Sequence, residues 1–269
     1  MNIEKIIKEK IKLIQNAVKE SGTKGFVFGN SGGKDSCLAG LLLKLSGVAT
    51  VGIAMPCGAK RNYAIDKIDG VALANALGIK SIVVSLTDEY LSLRKKLGEQ
   101  FGEPLTQEVE INIPPRLRML TLYAYSQANS FLVAGTGNRS EFYLGYFTKW
   151  GDGGFDIPLL VDLTVKEIYE ILNFIVAELQ KEISGGKPNA LLQALPANTK
   201  PQLIEILKTI IAKQPSAGLH DEQTDEGELG FTYTEVDDWL LNGKKGANHN
   251  KIMHLHKINA HKRWGALDI

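Results

Sequence analysis

The amino-acid sequence predicts an α/β fold, a doubly wound parallel sheet flanked by helices. Two observations lead to this prediction. Short apolar segments rich in Val and Ile, the composition of strands buried on both faces, alternate with longer segments of helical periodicity. In addition, a glycine-rich sequence at residues 31–36 stands where the first apolar strand ends and a helix begins, at the edge where parallel sheets bind ligands.

The first half of the chain supplies the alternating elements. Residues 3–20 have the pattern of an amphipathic helix, because isoleucines recur on one face, and Gly22 then ends it. The elements predicted after it are strand 25–29, helix 36–46, strand 49–55, helix 63–78, strand 80–86, helix 88–101, helix 115–129 and strand 131–135. Strands that alternate with helices in this way form a parallel sheet with right-handed crossovers.

The second half, from about Tyr146, predicts a C-terminal helical extension of the same domain. Helices are expected at 164–180, 202–212, about 233–242 and 248–262, and residues 1–269 are expected to form a single domain. Two stretches rich in Gly, Pro and polar residues, about 184–200 and 213–230, are expected to be mobile segments near a site. For the first of them, a plain surface connection is an equally good interpretation.

Composition narrows the class of function. The chain has 269 residues, of which 44% are hydrophobic and 23% charged, and its formal net charge is +1, so no overall field points to nucleic acid or to a membrane. No apolar run approaches the ~20 residues of a membrane span, and the Lys- and Glu-rich start lacks the apolar core of a secretion signal. The two cysteines, Cys37 and Cys57, lack metal-site spacing. We therefore expect a cytoplasmic protein.

Residues 31–36 predict a phosphate-binding loop. Two adjacent glycines allow a tight turn that presents several N–H groups to one anion, and the following helix adds the positive end of its dipole. The hydroxyls of Ser31 and Ser36 add donors, and Asp35 is placed to hold a magnesium ion against the phosphates. The loop consists of Ser31, Gly32, Gly33, Lys34, Asp35 and Ser36. A plain glycine-rich turn with a helix cap is the alternative.

The loop differs from two better-known phosphate motifs. A Walker loop has a glycine, four further residues, Gly-Lys and then Ser or Thr. This chain has Phe28 in place of the first glycine and Asp35 in place of the Ser or Thr. The dinucleotide fingerprint lacks its third glycine, both here and at residues 135–140. The remaining motif resembles the loop of the ATP pyrophosphatases, which cleave ATP between its α and β phosphates.

Over residues 31–263 the chain resembles the ammonia-dependent NAD synthetases of that superfamily. The motifs that carry the resemblance are SGGKDS at 31–36, NIPPRLRM at 112–119, GTGNRSE at 135–141, GYFTKWGDGG at 145–154, PSA at 215–217, DEGELG at 225–230 and HKR at 261–263. The resemblance implies an adenine nucleotide α-hydrolase-like (Rossmann-like) fold. It also implies a ligase that requires Mg²⁺ and uses ATP as a co-substrate. Deamido-NAD would be adenylated with release of pyrophosphate, and ammonia would then displace AMP to give NAD.

The resemblance also assigns roles to individual residues. Asp35 and Glu141 match acids that bind Mg²⁺, and Asp152 matches an acid near the ammonia site, so Asp35 and Asp152 are the expected catalytic residues. Besides the loop itself, the residues that match contacts to ATP are Arg118, Thr136 and Ser216. The residues that match contacts to deamido-NAD are Arg116, Phe147, Lys149, His261 and Lys262. In the family the last two belong to a tail that reaches the partner's site, which implies a homodimer.

The chain also departs from the family pattern. Where the family usually has a phosphate-binding lysine, this chain has Val165, with Lys166 next, and a shift of one residue turns a side chain by about 100° around a helix. The chain is too short to include the glutaminase domain of glutamine-dependent relatives, so free ammonia is expected. Two alternatives stay open. One is another adenylating enzyme of the superfamily with a different acceptor, and the other is a nucleotide sensor that has lost catalysis.

Overall fold

The computed structural model describes residues 1–58, 65–102, 104–214, 216 and 224–263. The strands are β1 (Gly25–Gly29), β2 (Ala49–Ala54), β3 (Lys80–Val83), β4 (Phe131–Asn138) and β5 (Ile157–Leu160). In the described ranges they form one sheet in the order β3-β2-β1-β4-β5, and each pairing is parallel. The chain moves outward through β2 and β3 and then returns to the other side of β1, so the strand order reverses between β1 and β4. Doubly wound sheets bind ligands at such a reversal. The predicted fold class is confirmed.

Helices cover both faces of this sheet. They are α1 (Ile3–Ser21), α2 (Lys34–Leu45), α3 (Lys67–Leu77), α4 (Thr87–Phe101), α5 (Gln107–Asn129), α6 (Arg139–Leu144), α7 (Val165–Ile183), α8 (Lys200–Ala212), α9 (Asp225–Leu229), α10 (Tyr233–Asn242), α11 (His249–Ile258) and α12 (Ala260–Arg263). Helices α1, α2, α3, α7 and α8 supply the larger core on one face, whereas α4 and α5 cover the other. Within the described ranges, none of these helices is both long and apolar enough to cross a membrane.

The central strand shows why the sequence folds in this way. Phe26 and Phe28 are fully buried in the larger core, whereas Val27, also fully buried, belongs to the cluster beneath α5. Successive side chains of a strand point to opposite faces, so a strand covered by helices on both sides must be apolar at every position. The uninterrupted apolar run therefore marks the central strand of the sheet.

Several predicted boundaries are wrong. Helix α5 begins at Gln107, not at 115, and continues through Pro114 and Pro115. Proline usually occupies the first turn of a helix because it lacks an N–H, and this preference led to the late predicted start. The sequence patterns do not predict helix α6 or strand β5. With six and four residues, these elements are too short to show a hydrophobic periodicity.

Of the two segments expected to be mobile, the structure describes the first in full and the second only in part. The segment 184–200 contains two short 3-10 turns and buries Leu192 and Leu195 against the larger core. The hydroxyl of Thr199 also donates a 2.6 Å hydrogen bond to the carbonyl of Ala76. In the segment 213–230, residues 215 and 217–223 lie outside the described residues. The mobility of both segments stays a prediction.

Val165 lies in an apolar cluster at the start of α7, where only 4% of its surface is exposed. We expect Val165→Lys to lower the free energy of unfolding by about 3 kcal/mol or more, because a charged ammonium would replace an isopropyl group inside a buried apolar cluster. Urea denaturation measures this change, with Lys166→Met as the control because Lys166 is exposed. Unchanged stability together with tighter ATP binding would show that a lysine at 165 reaches the nucleotide.

Candidate active site

A cavity of about 430 Å³ opens beyond the carboxyl ends of β1 and β4. It brings together most of the predicted site residues. Those that line it are Ser31, Gly32, Gly33, Lys34, Asp35, Ser36, Arg118, Thr136, Glu141, Phe147, Asp152, Ser216 and Lys262. Three predicted residues do not line it: Arg116, Lys149 and His261. The strand reversal therefore coincides with the place where the sequence patterns converge.

The 31–36 loop has the shape of an anion cradle. Gly32 has φ +73°, and a Cβ there would lie 2.6 Å from the carbonyl oxygen of Asp66, so only glycine fits. The Ser31 and Ser36 hydroxyls lie 3.0 Å apart. Gly33 is the N-cap of α2 and makes no side-chain cap bond. Residues 33–36 line the cavity, so the N-terminus of α2 faces it, as expected for a phosphate-binding loop.

Asn138 fixes the two predicted metal-binding acids relative to each other. Its side-chain amide donates to Asp35 Oδ1 at 3.1 Å, and its backbone N–H donates to Glu141 Oε2 at 3.1 Å. The backbone N–H of Glu141 donates in return to Asn138 Oδ1 at 3.0 Å, which completes a capping box at the start of α6. Asn138 is fully buried. Carboxylates from two different strand ends are thus held at one point of the cavity.

The electrostatics of this acid pair favour a cation. Burial, and then repulsion from Asp35, raise the pKa of Glu141 well above its ordinary value, while Lys34 opposes the shift. The Lys34 ammonium lies 2.8 Å from Asp35 Oδ2. No group of three or more metal-binding side chains occurs among the described residues. Two carboxylates that repel each other still fit Mg²⁺, which commonly takes one or two carboxylates and completes its shell with phosphates and water.

Asp152 occupies another part of the cavity wall. Its Oδ1 accepts a 2.9 Å hydrogen bond from the backbone N–H of Thr148, and the residue is reached by solvent through the open cavity. Desolvation by the cavity wall raises the pKa of the Asp152 carboxyl. Backbone hydrogen bonds to that carboxyl and the positive charges of Arg118 and Lys262 act in the opposite direction. A carboxylate with a raised pKa is a stronger base than an ordinary aspartate. Asp152 is therefore placed to accept a proton.

An aromatic wall and the C-terminal helix border the same region. The ring of Phe147 stacks on Phe142 with centroids 4.5 Å apart. Lys262 donates to the carbonyls of Gly145 and Phe147 at 2.8 and 3.0 Å, so this tail residue lines the cavity of its own chain. The Lys149 ammonium donates to the carbonyl of His261 instead of facing the cavity.

Arg116 is exposed on α5 and donates to the backbone carbonyls of Asn112 and Lys149 at 3.3 Å in each case. With Lys149 and His261 it forms a group beside the cavity rather than within it. Their predicted contacts to deamido-NAD, and the reach of the tail into a partner's site, stay predictions.

Comparison with known proteins identifies the family. The model for the family described as NAD synthase matches residues 6–264. The chain belongs to the NAD synthase family. The predicted resemblance is confirmed over almost the whole chain, including the helical extension.

The family assignment agrees with individual relatives. An NH3-dependent NAD(+) synthetase from Carboxydothermus hydrogenoformans is 36% identical over 92% of this chain and 89% of its own length. One from Finegoldia magna is 36% identical over 98% and 95%. Among solved structures, the NMN synthetase from Francisella tularensis is 30% identical with a TM-score of 0.81, covering 99% of this chain and 98% of its own. The NH3-dependent NAD synthetase from Campylobacter jejuni is 26% identical with a TM-score of 0.58, covering 80% and 99%.

In this NAD synthase family member, the structure adds residues in and behind the cavity wall to which the sequence patterns assign no role. Tyr146, on the cavity wall, donates to Glu228 Oε2 at 2.6 Å, and Asp225 lines the cavity beside it. Asn138 is the most consequential addition, since it touches both predicted metal-binding acids. Its signal was present in the sequence as an Asn followed three residues later by Glu, the pattern of a capping box.

We expect Asn138→Ala to lower kcat by about 10- to 100-fold, because the residue positions both acids. It should also cost about 1 kcal/mol of stability through the lost helix cap. Thr164→Ala is the matched control, since Thr164 is also fully buried and caps α7 in a capping box, but its partner Glu167 does not line the cavity, whereas Glu141 does. Steady-state kinetics and urea denaturation separate the two effects. Equal losses of activity in both variants would contradict the positioning role.

Proposed function

We propose that this chain catalyses the ATP-dependent amidation of deamido-NAD to NAD with ammonia, as a ligase that releases AMP and pyrophosphate. One observation carries the proposal. A single cavity combines a phosphate-binding loop, the carboxylates Asp35 and Glu141, and a separate carboxylate, Asp152. Identities of 36% to NH3-dependent NAD(+) synthetases support the same reaction. The full set of acids favours an enzyme over a nucleotide sensor.

In the first half-reaction, an oxygen of the nicotinate carboxylate forms a bond to the α-phosphorus of ATP. The bond from that phosphorus to the β-phosphate bridging oxygen breaks, and pyrophosphate leaves with the electron pair. The N–H groups of the 31–36 loop and the N-terminus of α2 bind the phosphates, and Arg118 adds a positive charge at the cavity wall. Mg²⁺ held by Asp35 and Glu141 would neutralise the departing pyrophosphate.

In the second half-reaction, ammonia attacks the carbonyl carbon of the acyl adenylate and AMP leaves. Ammonium has no lone pair, so it must first lose a proton. Asp152 accepts that proton, since its raised pKa makes it a better base than an ordinary aspartate. The nitrogen loses its second proton to water as the carbonyl re-forms, and AMP departs with the electron pair of the broken C–O bond. The reaction therefore needs Asp152 deprotonated at the moment when ammonium arrives.

Three finer features belong to the proposal. The acid pair supports Mg²⁺ as the metal. Exposed apolar side chains on α4 and α5 support a homodimer: Leu91 is 52% exposed, Phe101 75% and Leu120 62%. Both cysteines are buried and the thiol of Cys37 is free, which supports a reducing cytoplasmic location.

A second candidate is amidation of the corresponding mononucleotide, nicotinic acid mononucleotide, by the same chemistry. The observation that favours it is the similarity to the NMN synthetase from Francisella tularensis, with a TM-score of 0.81 against 0.58 for the NAD synthetase from Campylobacter jejuni. The carboxyl group, the adenylate and the ammonia step are the same for both acceptors. The two candidate functions differ only in the acceptor, which is a dinucleotide in the first and a mononucleotide in the second.

Product analysis of the purified protein tests both candidates. The protein is incubated with ATP, Mg²⁺ and either deamido-NAD or nicotinic acid mononucleotide, each with ammonium or with glutamine. We expect NAD, AMP and pyrophosphate in equal amounts from deamido-NAD with ammonium, and little product with glutamine. A higher kcat/KM for the mononucleotide would support the second candidate. ATP binding without cleavage of ATP, with either acceptor, would contradict both and favour a sensor.

A further inference from the structure

Lys34 is a buried cation beside the predicted metal-binding acids. It is the first residue of α2, and only 7% of its surface is exposed. Its ammonium lies 2.8 Å from Asp35 Oδ2 and 5.7 Å from the centre of the Tyr233 ring, and it interacts electrostatically with Glu141. The fold therefore already supplies one positive charge at the point where a divalent cation would bind.

The formal charges show the consequence. Asp35, Glu141 and the buried Asp225, which acts on Glu141 from the same cavity, carry three negative charges, and Lys34 offsets the charge of Asp35. Both oxygens of Asp35 are already engaged, since the Lys34 ammonium pairs with Oδ2 at 2.8 Å and the Asn138 amide donates to Oδ1 at 3.1 Å. A free divalent cation would therefore have to compete with the Lys34 ammonium for the Asp35 carboxylate. A nucleotide triphosphate adds several negative charges and gives both cations a partner, because Lys34 lines the cavity in which the phosphates bind.

We propose that Lys34 is an internal counter-ion that occupies the metal-binding acids until the nucleotide arrives, so that the protein takes up its divalent cation together with ATP and not before it. When the metal–nucleotide complex binds, the ammonium moves from Asp35 to the phosphates. The proposal rests on the metal site assigned under the proposed function. It adds an order of binding that the family assignment does not give.

Binding of Mn²⁺, followed by electron paramagnetic resonance, tests the proposal without turnover. Each protein is titrated with Mn²⁺ alone and with Mn²⁺ plus a methylene analogue of ATP that cannot be cleaved between the α and β phosphates. We expect the wild-type protein to bind Mn²⁺ tightly only with the analogue. For Lys34→Met, we expect binding of Mn²⁺ alone to be at least about 10-fold tighter than in the wild type. The proposal is overturned if Lys34→Met binds Mn²⁺ alone no more tightly than the wild type.

The controls separate this proposal from the metal site itself. Lys200→Met removes another buried lysine, one that pairs with Glu182 at 2.6 Å and does not line the cavity, and should leave binding of Mn²⁺ alone unchanged. Asp35→Asn and Glu141→Gln should each weaken binding of Mn²⁺ with the analogue. If neither does, the metal site is wrong, whatever Lys34→Met shows. Lys34→Gln is a second neutral variant in case the methionine variant does not fold, and the same tightening is expected from it.

Discussion

Asp35→Asn is expected to lower the rate of pyrophosphate release by about 100- to 1000-fold, the loss typical of removing one group that stabilises transition-state charge. The substitution keeps the shape of the side chain and removes its charge. It takes away one of the two metal-binding carboxylates and leaves the buried Lys34 without its 2.8 Å partner. Release of pyrophosphate, measured with a coupled assay at saturating ATP and acceptor, reports the effect directly.

The control for Asp35→Asn is Glu205→Gln on α8. Glu205 has 72% of its side chain exposed and pairs only with Lys208 among the interactions described for it, so its loss should be neutral. Thermal denaturation of both variants establishes that the sheet is intact. Turnover near the wild-type value in a folded Asp35→Asn protein would refute the assignment of Asp35 as a metal-binding and catalytic residue.

Asp152→Asn is expected to separate the two half-reactions. Exchange of labelled pyrophosphate into ATP should persist in the presence of acceptor, because the adenylate still forms. Formation of the amide should fall by about 100-fold or more, since the proton acceptor for ammonium is gone. Asparagine keeps an oxygen that accepts the hydrogen bond from the Thr148 N–H, so the turn should be preserved. Unchanged amide formation at saturating ammonium would show that another group takes the proton.

The pH dependence of amide formation follows from the direction of the Asp152 shift. Its carboxyl has a raised pKa and must be deprotonated to act as a base, so activity should be present above that pKa and should fall as the pH drops through it. The fall should occur at a higher pH than for an ordinary aspartate. The measurement compares wild type and Asp152→Asn at constant ammonium concentration, because ammonium is the species that Asp152 deprotonates, and this limb should be absent from the variant.

The sequence predicted the centre of the site because its geometry follows from strand order. Asp35 follows β1 and Glu141 follows β4, and these strands are neighbours in a parallel sheet, so their carboxyl ends must meet. The contacts of Asn138 depend on side-chain orientations as well as on strand order. For that reason, the sequence marked Asn138 as part of a motif without revealing that it bridges the two acids.

The residues around the margin of the site are positioned by contacts between segments that lie far apart in the sequence. Lys262 reaches the cavity because α11 and α12 fold back onto α6, a contact that no local pattern predicts. The same packing directs Lys149 to the His261 carbonyl and leaves Arg116 on the surface. Helix α5 was predicted too short because the general preference of proline outweighed the helical pattern before it.

The shape of the 31–36 loop has a consequence for protein engineering. Only glycine fits at position 32, because the start of α3 lies against it. The Asp66 carbonyl and the Gly70 N–H would both collide with a side chain there. The neighbouring Asn30 amide donates to the Gly70 carbonyl at 2.6 Å, and the Lys213 ammonium reaches the Gly32 carbonyl from α8 at 3.5 Å. Contacts from α3 and from the end of α8, outside residues 31–36, therefore hold the loop in its conformation. Grafting SGGKDS onto an unrelated strand–helix junction should therefore not transfer affinity for nucleotides, whereas a graft that also carries α3 and the end of α8 has the supports that the loop requires.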